Sequence, residues 1–113
     1  GGGSGGLEDE EEEMARSQEQ LRYDELVTNL LEEEDDVVAC HRQQIEENMA
    51  LVQEEMGLLT QVETPGGSVE QYVMKLDEVL AQKVEAVNRL RQRLAEFQQR
   101  LKEEEVLSMT RRM

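Results

Sequence analysis

Cys40 and His41 stand side by side, and each is the only residue of its kind in the chain. A thiol beside an imidazole could serve nucleophilic catalysis, and the same two donors could hold zinc. Neighbours on a helix point about 100° apart, so these two do not converge on one atom. No CxxC, HExxH or Glu-x-x-His spacing completes a metal set either. The sequence therefore predicts no catalytic residue and no metal ligand, and His41 reads as a half-buried residue flanking a helix contact. Apart from five glycines in the first six residues, the chain has only Gly57, Gly66 and Gly67, so it holds no GxxxxGK[ST] or GxGxxG phosphate loop. No cofactor is expected. Arg89, Arg91, Arg93 and Arg100 form the one concentration of cations. They either pair with acids of the chain itself or dock an acidic partner.

The elements that carry these residues are set by one break. Thr64-Pro65-Gly66-Gly67-Ser68 interrupts two long runs of helix formers. Pro65 cannot continue a helical ladder and biases Thr64 away from αR, while Gly66 and Gly67 permit positive φ. Ser68 offers its hydroxyl as an N-cap, with Gln71 at the capping-box position. So short a connection turns the second helix back on the first. The predicted fold is all-α: an antiparallel, coiled-coil-like two-helix hairpin over 18–108, with a helix over 18–62, a turn over 63–68 and a helix over 68–108. Residues 1–17 read as a disordered linker, glycine-rich and then acidic (Glu8 to Glu13), and 109–113 as a C-terminal tail.

Heptad spacing predicts which side chains close the hairpin. In the first helix Leu31, Val38, Ile45, Val52 and Leu59 recur every seven residues, with Met49 and Met56 as partners. Leu30, Val37, Leu51 and Leu58 lie beside that line, and the apolar arc is wider than one partner helix covers. A second contact, read as a homodimer, is predicted from the excess. The second helix carries Val69, Val73, Leu76, Leu80, Val87, Leu90, Leu94, Phe97 and Leu101, interrupted at Lys83 and Glu104. On this reading Leu94→Asp unfolds the hairpin and Arg93→Ala does little.

Charge sorts the two arms. Gln18 to Glu63 holds thirteen acids and two bases, net −11; Ser68 to Lys102 holds seven bases and five acids, net +2. Folding about Pro65 places the acids at 32–36 roughly opposite Arg93 to Arg100. Over all 113 residues the net charge is −15, which excludes nucleic acid and anionic membrane as direct partners. With 35% charged and 3% aromatic residues, the chain is too poor in apolar volume for a broad globular core. One cysteine cannot close an intramolecular disulfide, and no apolar run approaches the ~18 residues of a membrane span. The chain reads as soluble and intracellular.

Several stretches taken together point to a family. The acid-rich entry Glu32 to Asp36, His41-Arg42, EEMGLL (Glu54 to Leu59), the Pro-Gly-Gly-Ser turn, Tyr72, Leu80 with Gln82-Lys83, and RLAEFQQRLKE (Arg93 to Glu103) follow in fixed order. The run Glu32 to Ser108 resembles the C-terminal tail of the internal-motor kinesins, the microtubule-depolymerising thirteenth class, in its plant and algal form. That resemblance implies an ATP- and Mg-dependent motor whose catalytic residues have no counterpart in this chain. It implies a noncatalytic tail that dimerises and contacts the motor domain or tubulin, in the cytoplasm on the microtubule cytoskeleton. Gly1 to Glu13 matches nothing in the family, and a free-standing coiled-coil scaffold or adaptor without a motor is the alternative. Met56 to Pro65 (MGLLTQVETP) is also similar to the start of the influenza A proton channel, but the membrane helix that follows there has no counterpart here.

Overall fold

The computed structural model of the chain describes the backbone of residues 3–112 and the side chains of residues 7–110. It contains two helices, α1 (Gly3–Glu63) and α2 (Val69–Arg112), and no strand among the described residues. The break between them follows from its residues. The Gly67 N–H donates to the Thr64 carbonyl at 3.0 Å and Gly66 has φ 87°. With Pro65 at the second position, Thr64 to Gly67 is a type II turn, which places a proline where φ must be about −60° and a glycine where φ must be positive. Gly67 is needed for a different reason: a Cβ there would run into the carbonyl oxygen of Gln61. The Thr64 hydroxyl donates to the Thr60 carbonyl at 2.7 Å and closes the last turn of α1. Ser68 caps α2, its Oγ accepting from the Gln71 N–H at 3.2 Å.

Helix extends beyond the predicted limits at both outer ends. α1 begins at Gly3, where the sequence predicts disorder to about residue 17. Glu is a strong helix former, and every described side chain from Leu7 to Arg22 is exposed, so water screens the repulsion between neighbouring acids. α2 runs on to Arg112 through the predicted tail. Nothing there breaks a helix, and the Thr110 hydroxyl bonds back to the Val106 carbonyl at 2.8 Å. The expectations for residues 1, 2 and 113 lie outside the described residues.

The chain packs as two units. The first, Asp35–Glu96, holds the turn and the adjoining halves of both helices, antiparallel to one another. Its core is Leu51, Leu58 and Val79, with Tyr72 and Leu76 packed against them and Ala86 buried further along. The half-buried residues Val37, Cys40, Gln44, Glu47, Glu55 and Val62 continue the α1 side, and Lys83, Leu90 and Arg93 the α2 side, at alternating spacings of three and four. In the second unit the segment ending at Glu34 pairs with the segment starting at Phe97. Leu30 is buried there, and the Tyr23 hydroxyl bonds Glu104 and Ser108, each at 3.3 Å.

This seam corrects the predicted one. On α1 the predicted residues Leu31, Val38, Ile45, Met49, Val52, Met56 and Leu59 are exposed, and their neighbours Leu30, Val37, Leu51 and Leu58 face α2 instead. On α2 Val69, Val73, Leu80, Val87, Leu94 and Leu101 are exposed, while Leu76, Leu90 and Phe97 are half-buried. The apolar arc of each helix spans two adjacent heptad lines, and a single partner centres on one. The rotation adopted buries Val79 and Ala86 of α2. It also sets Lys83, Arg89, Arg93 and Arg100 across from Glu55, Glu47, Asp36 and Glu33.

The turn yields a direct comparison. Gly66→Ala should cost about 1–2 kcal/mol, the strain of a left-handed alanine. Gly67→Ala should cost more, because the obstructing atom is backbone and cannot swing aside. Urea unfolding followed by circular dichroism at one protein concentration checks the order.

Candidate interaction surface

The exposed aliphatic residues form a pattern of their own. In the Asp35–Glu96 unit, Val38, Ile45, Val52 and Leu59 each follow a seam residue of α1, and Val73, Leu80, Val87 and Leu94 each follow a seam residue of α2. In an antiparallel pair, residues that follow the seam lie on one broad side of both helices and residues that precede it lie on the other. The preceding side is visible directly. Glu54, Gly57 and Gln61 of α1 and Lys75, Glu78 and Gln82 of α2 together line one groove over Leu58 and Val79. That side is polar. The opposite side therefore carries four aliphatic rungs, Leu59 with Val73, Val52 with Leu80, Ile45 with Val87 and Val38 with Leu94. Their exposures run from 38% at Val52 to 59% at Val73. Met56 and Val84 extend the same face, at 62% and 59%.

Between the helices the half-buried Glu47, Glu55, Lys83 and Arg93 flank the small apolar core; outside lies the aliphatic ladder, interrupted by His41, Asn48, Asp77 and Arg91. Apolar area removed from water is worth about 25 cal/mol per Å², whereas the cross-helix ion pairs, with side chains 20–65% exposed, give about 0–1 kcal/mol each. The larger source of free energy is thus left uncovered in the single chain.

The cations proposed for partner docking are mostly engaged inside the hairpin. Arg89 pairs with Glu47 at 3.0 Å, Arg93 with Asp36 at 3.2 Å, and Arg100 with Glu33 at 2.8 Å. That is the antiparallel register in which acids at 32–36 meet Arg93 to Arg100. The Arg93 pKa is raised, first by the neighbouring Cys40 side chain, against the opposing effect of desolvation, and further by the carboxylates of Asp36 and Glu96. The second oxygen of Glu33 is buried without a hydrogen-bond partner among the described residues. Arg91 alone of the four follows a seam residue, Leu90, and sits on the aliphatic face.

Cys40 and His41 do not meet. Cys40 is half-buried in the seam, lining a groove with Gln44, Leu90 and Arg93, and His41 is exposed rather than half-buried as expected. No cluster of three metal-ligating side chains occurs among the described residues, and no helix there is long and apolar enough to cross a membrane.

Against known proteins, the chain is 42% identical over 87 residues to the kinesin-like protein KIN-13B of Arabidopsis thaliana, and 47% identical over 79 residues to the kinesin-like protein KIN-13A of Oryza sativa subsp. japonica. The chain is related to the plant kinesin-13 proteins. The aligned stretches cover 77% and 70% of this chain but only 13% and 10% of those relatives. No family model matches the chain, and no solved structure matches it. The kinesin-13 relationship thus attaches to a helical hairpin with one aliphatic and one polar side.

Asp77 and Val84 belong to the aliphatic face and were not singled out from the sequence. A signal was present, since Asp77, Val84 and Arg91 are spaced by seven. It gains meaning only once the seam is known to include Leu76, Lys83 and Leu90.

Two adjacent residues test the one-step rotation of the seam. Ala86 is 4% exposed and Val87 is 44% exposed. Ala86→Asp should cost about 3 kcal/mol or more by burying an unpaired carboxylate. Val87→Asp should change the stability of the dilute single chain by about 0.5 kcal/mol or less. Thermal melts by circular dichroism at low micromolar concentration distinguish the two, and equal losses would place the seam elsewhere.

Proposed function

We propose that this chain is the noncatalytic regulatory and dimerisation tail of a kinesin-13 motor, working through helix–helix contacts with a second copy and with the motor domain. The observation that carries the reading is the exposed aliphatic ladder on a chain related to kinesin-13 proteins. A contiguous apolar surface of this kind marks a site that a partner covers. The hairpin offers no convergent nucleophile, base or phosphate loop, so the ATP and Mg chemistry of the family belongs to a motor domain outside this chain.

Charge favours some partners over others. With Arg89, Arg93 and Arg100 paired inside the hairpin, the described surface is dominated by acids. A basic patch on the motor domain fits that surface better than an acidic tubulin surface does. Tubulin would then be reached through the motor, and the site of action is the microtubule cytoskeleton of the cytoplasm.

Sedimentation equilibrium at tens of micromolar should give a dimer, and Ile45→Asp with Val87→Asp should return it to monomer without loss of helix. A monomer for the unaltered chain would remove the dimerisation half. Pull-down of a kinesin-13 motor domain at low salt tests the other half. Binding that weakens with added salt is the expected result, and no capture would remove the regulatory role.

A further inference from the structure

We infer that the second copy seats on the aliphatic ladder in antiparallel orientation, α1 against its partner's α1 and α2 against its partner's α2, with the two-fold axis passing Val84 and Asn48. The inference rests on the self-association proposed above and adds its geometry. The area suits such an occupant: the four rungs, Met56 and Val84 offer exposed apolar surface on both helices, on the scale of the roughly 800 Å² per partner that a stable interface covers. An identical ladder is self-complementary in a way that a polar or charged partner surface is not.

The orientation comes from the few polar residues on the face. On α2 these are Asp77 and Arg91, each seven residues, or two turns, from Val84. On α1 the residue level with Val84 in the hairpin register is Asn48. Two ladders laid face to face can be related by a two-fold axis along the helices or by one across them. With the axis along the helices, α2 of one copy lies over α1 of the other at the same level, and Arg91 lies level with His41. That juxtaposition gives Arg91 no carboxylate on the aliphatic face and leaves Asp77 opposite Met56. With the axis across the helices at Val84, Arg91 of each copy meets Asp77 of the other. Each charge is then paired once, giving two symmetry-related pairs in the dimer, and the aliphatic residues still face one another. Opposite charges in contact at an interface select the arrangement that pairs them over the one that leaves both without an opposite charge.

Cross-linking reads the orientation directly. In a Cys40→Ser background, Val84→Cys and Asn48→Cys are made singly, both positions being exposed and on helix. Each variant is oxidised with diamide, alone and mixed with the other. The antiparallel arrangement predicts a covalent dimer from each variant alone and little extra product from the mixture. Cross-links appearing only in the mixture would mean the other axis, and would overturn this inference while leaving self-association intact. A monomer by sedimentation would overturn both. Charge reversal gives an independent reading. Asp77→Arg and Arg91→Asp should each weaken the dimer by roughly tenfold, and the double reversal should restore it. Additive losses without restoration would overturn the Asp77–Arg91 pairing.

Discussion

A five-residue connection decides which side chain of this chain faces which. Because Thr64 to Gly67 closes as a type II turn and Ser68 caps α2 at once, there is no slack through which the helices of the Asp35–Glu96 unit could slide. The register follows: Leu51 and Leu58 meet Val79 and Tyr72, Glu55 meets Lys83, Glu47 meets Arg89 and Asp36 meets Arg93. Slipping one helix by a turn would separate each pair by about 5.4 Å. The turn does not itself supply much free energy. It removes the alternatives, and the small core and the ion pairs then suffice to select one register.

What the register buries is modest. Leu51, Leu58, Val79 and Ala86 are the buried apolar side chains of that unit, and charged residues occupy much of the rest of the seam. Two helices joined only by such a contact are marginal. The aliphatic ladder on the outer side is the complement of that weakness. Alongside its small apolar core the chain places charged residues in the seam and leaves Val38, Ile45, Val52, Leu59, Val73, Leu80, Val87 and Leu94 exposed. Folding and association would then be coupled, so that the hairpin gains stability as its concentration rises.

Much of this was legible in the residues. Pro65, Gly66, Gly67 and Ser68 announced a stop, a turn and a cap, because each has few conformations or hydrogen bonds available to it. The unlike charge of the two arms announced an antiparallel closure with acids near 32–36 opposite Arg93 and Arg100. The limits of helix at the outer ends were less legible, since Glu8 to Glu13 are helix formers and no proline or glycine after Ser68 marks an end for the second helix. His41 was placed one step too deep for the same reason as the ladder.

The sequence by itself determined that two amphipathic helices meet at Pro65 and that the first carries an apolar arc wider than one partner helix covers. It also carried the kinesin-13 relationship, at 42–47% identity to two plant kinesin-13 proteins. Tertiary structure alone decided which of two adjacent heptad lines closes the hairpin. Leu51 and Val52, or Val79 and Leu80, are equivalent by hydropathy and differ by a rotation of about 100°. Only the approach of the second helix, with its alanine at 86 and its cations opposite Glu47 and Glu55, turns one line inward and leaves the other exposed.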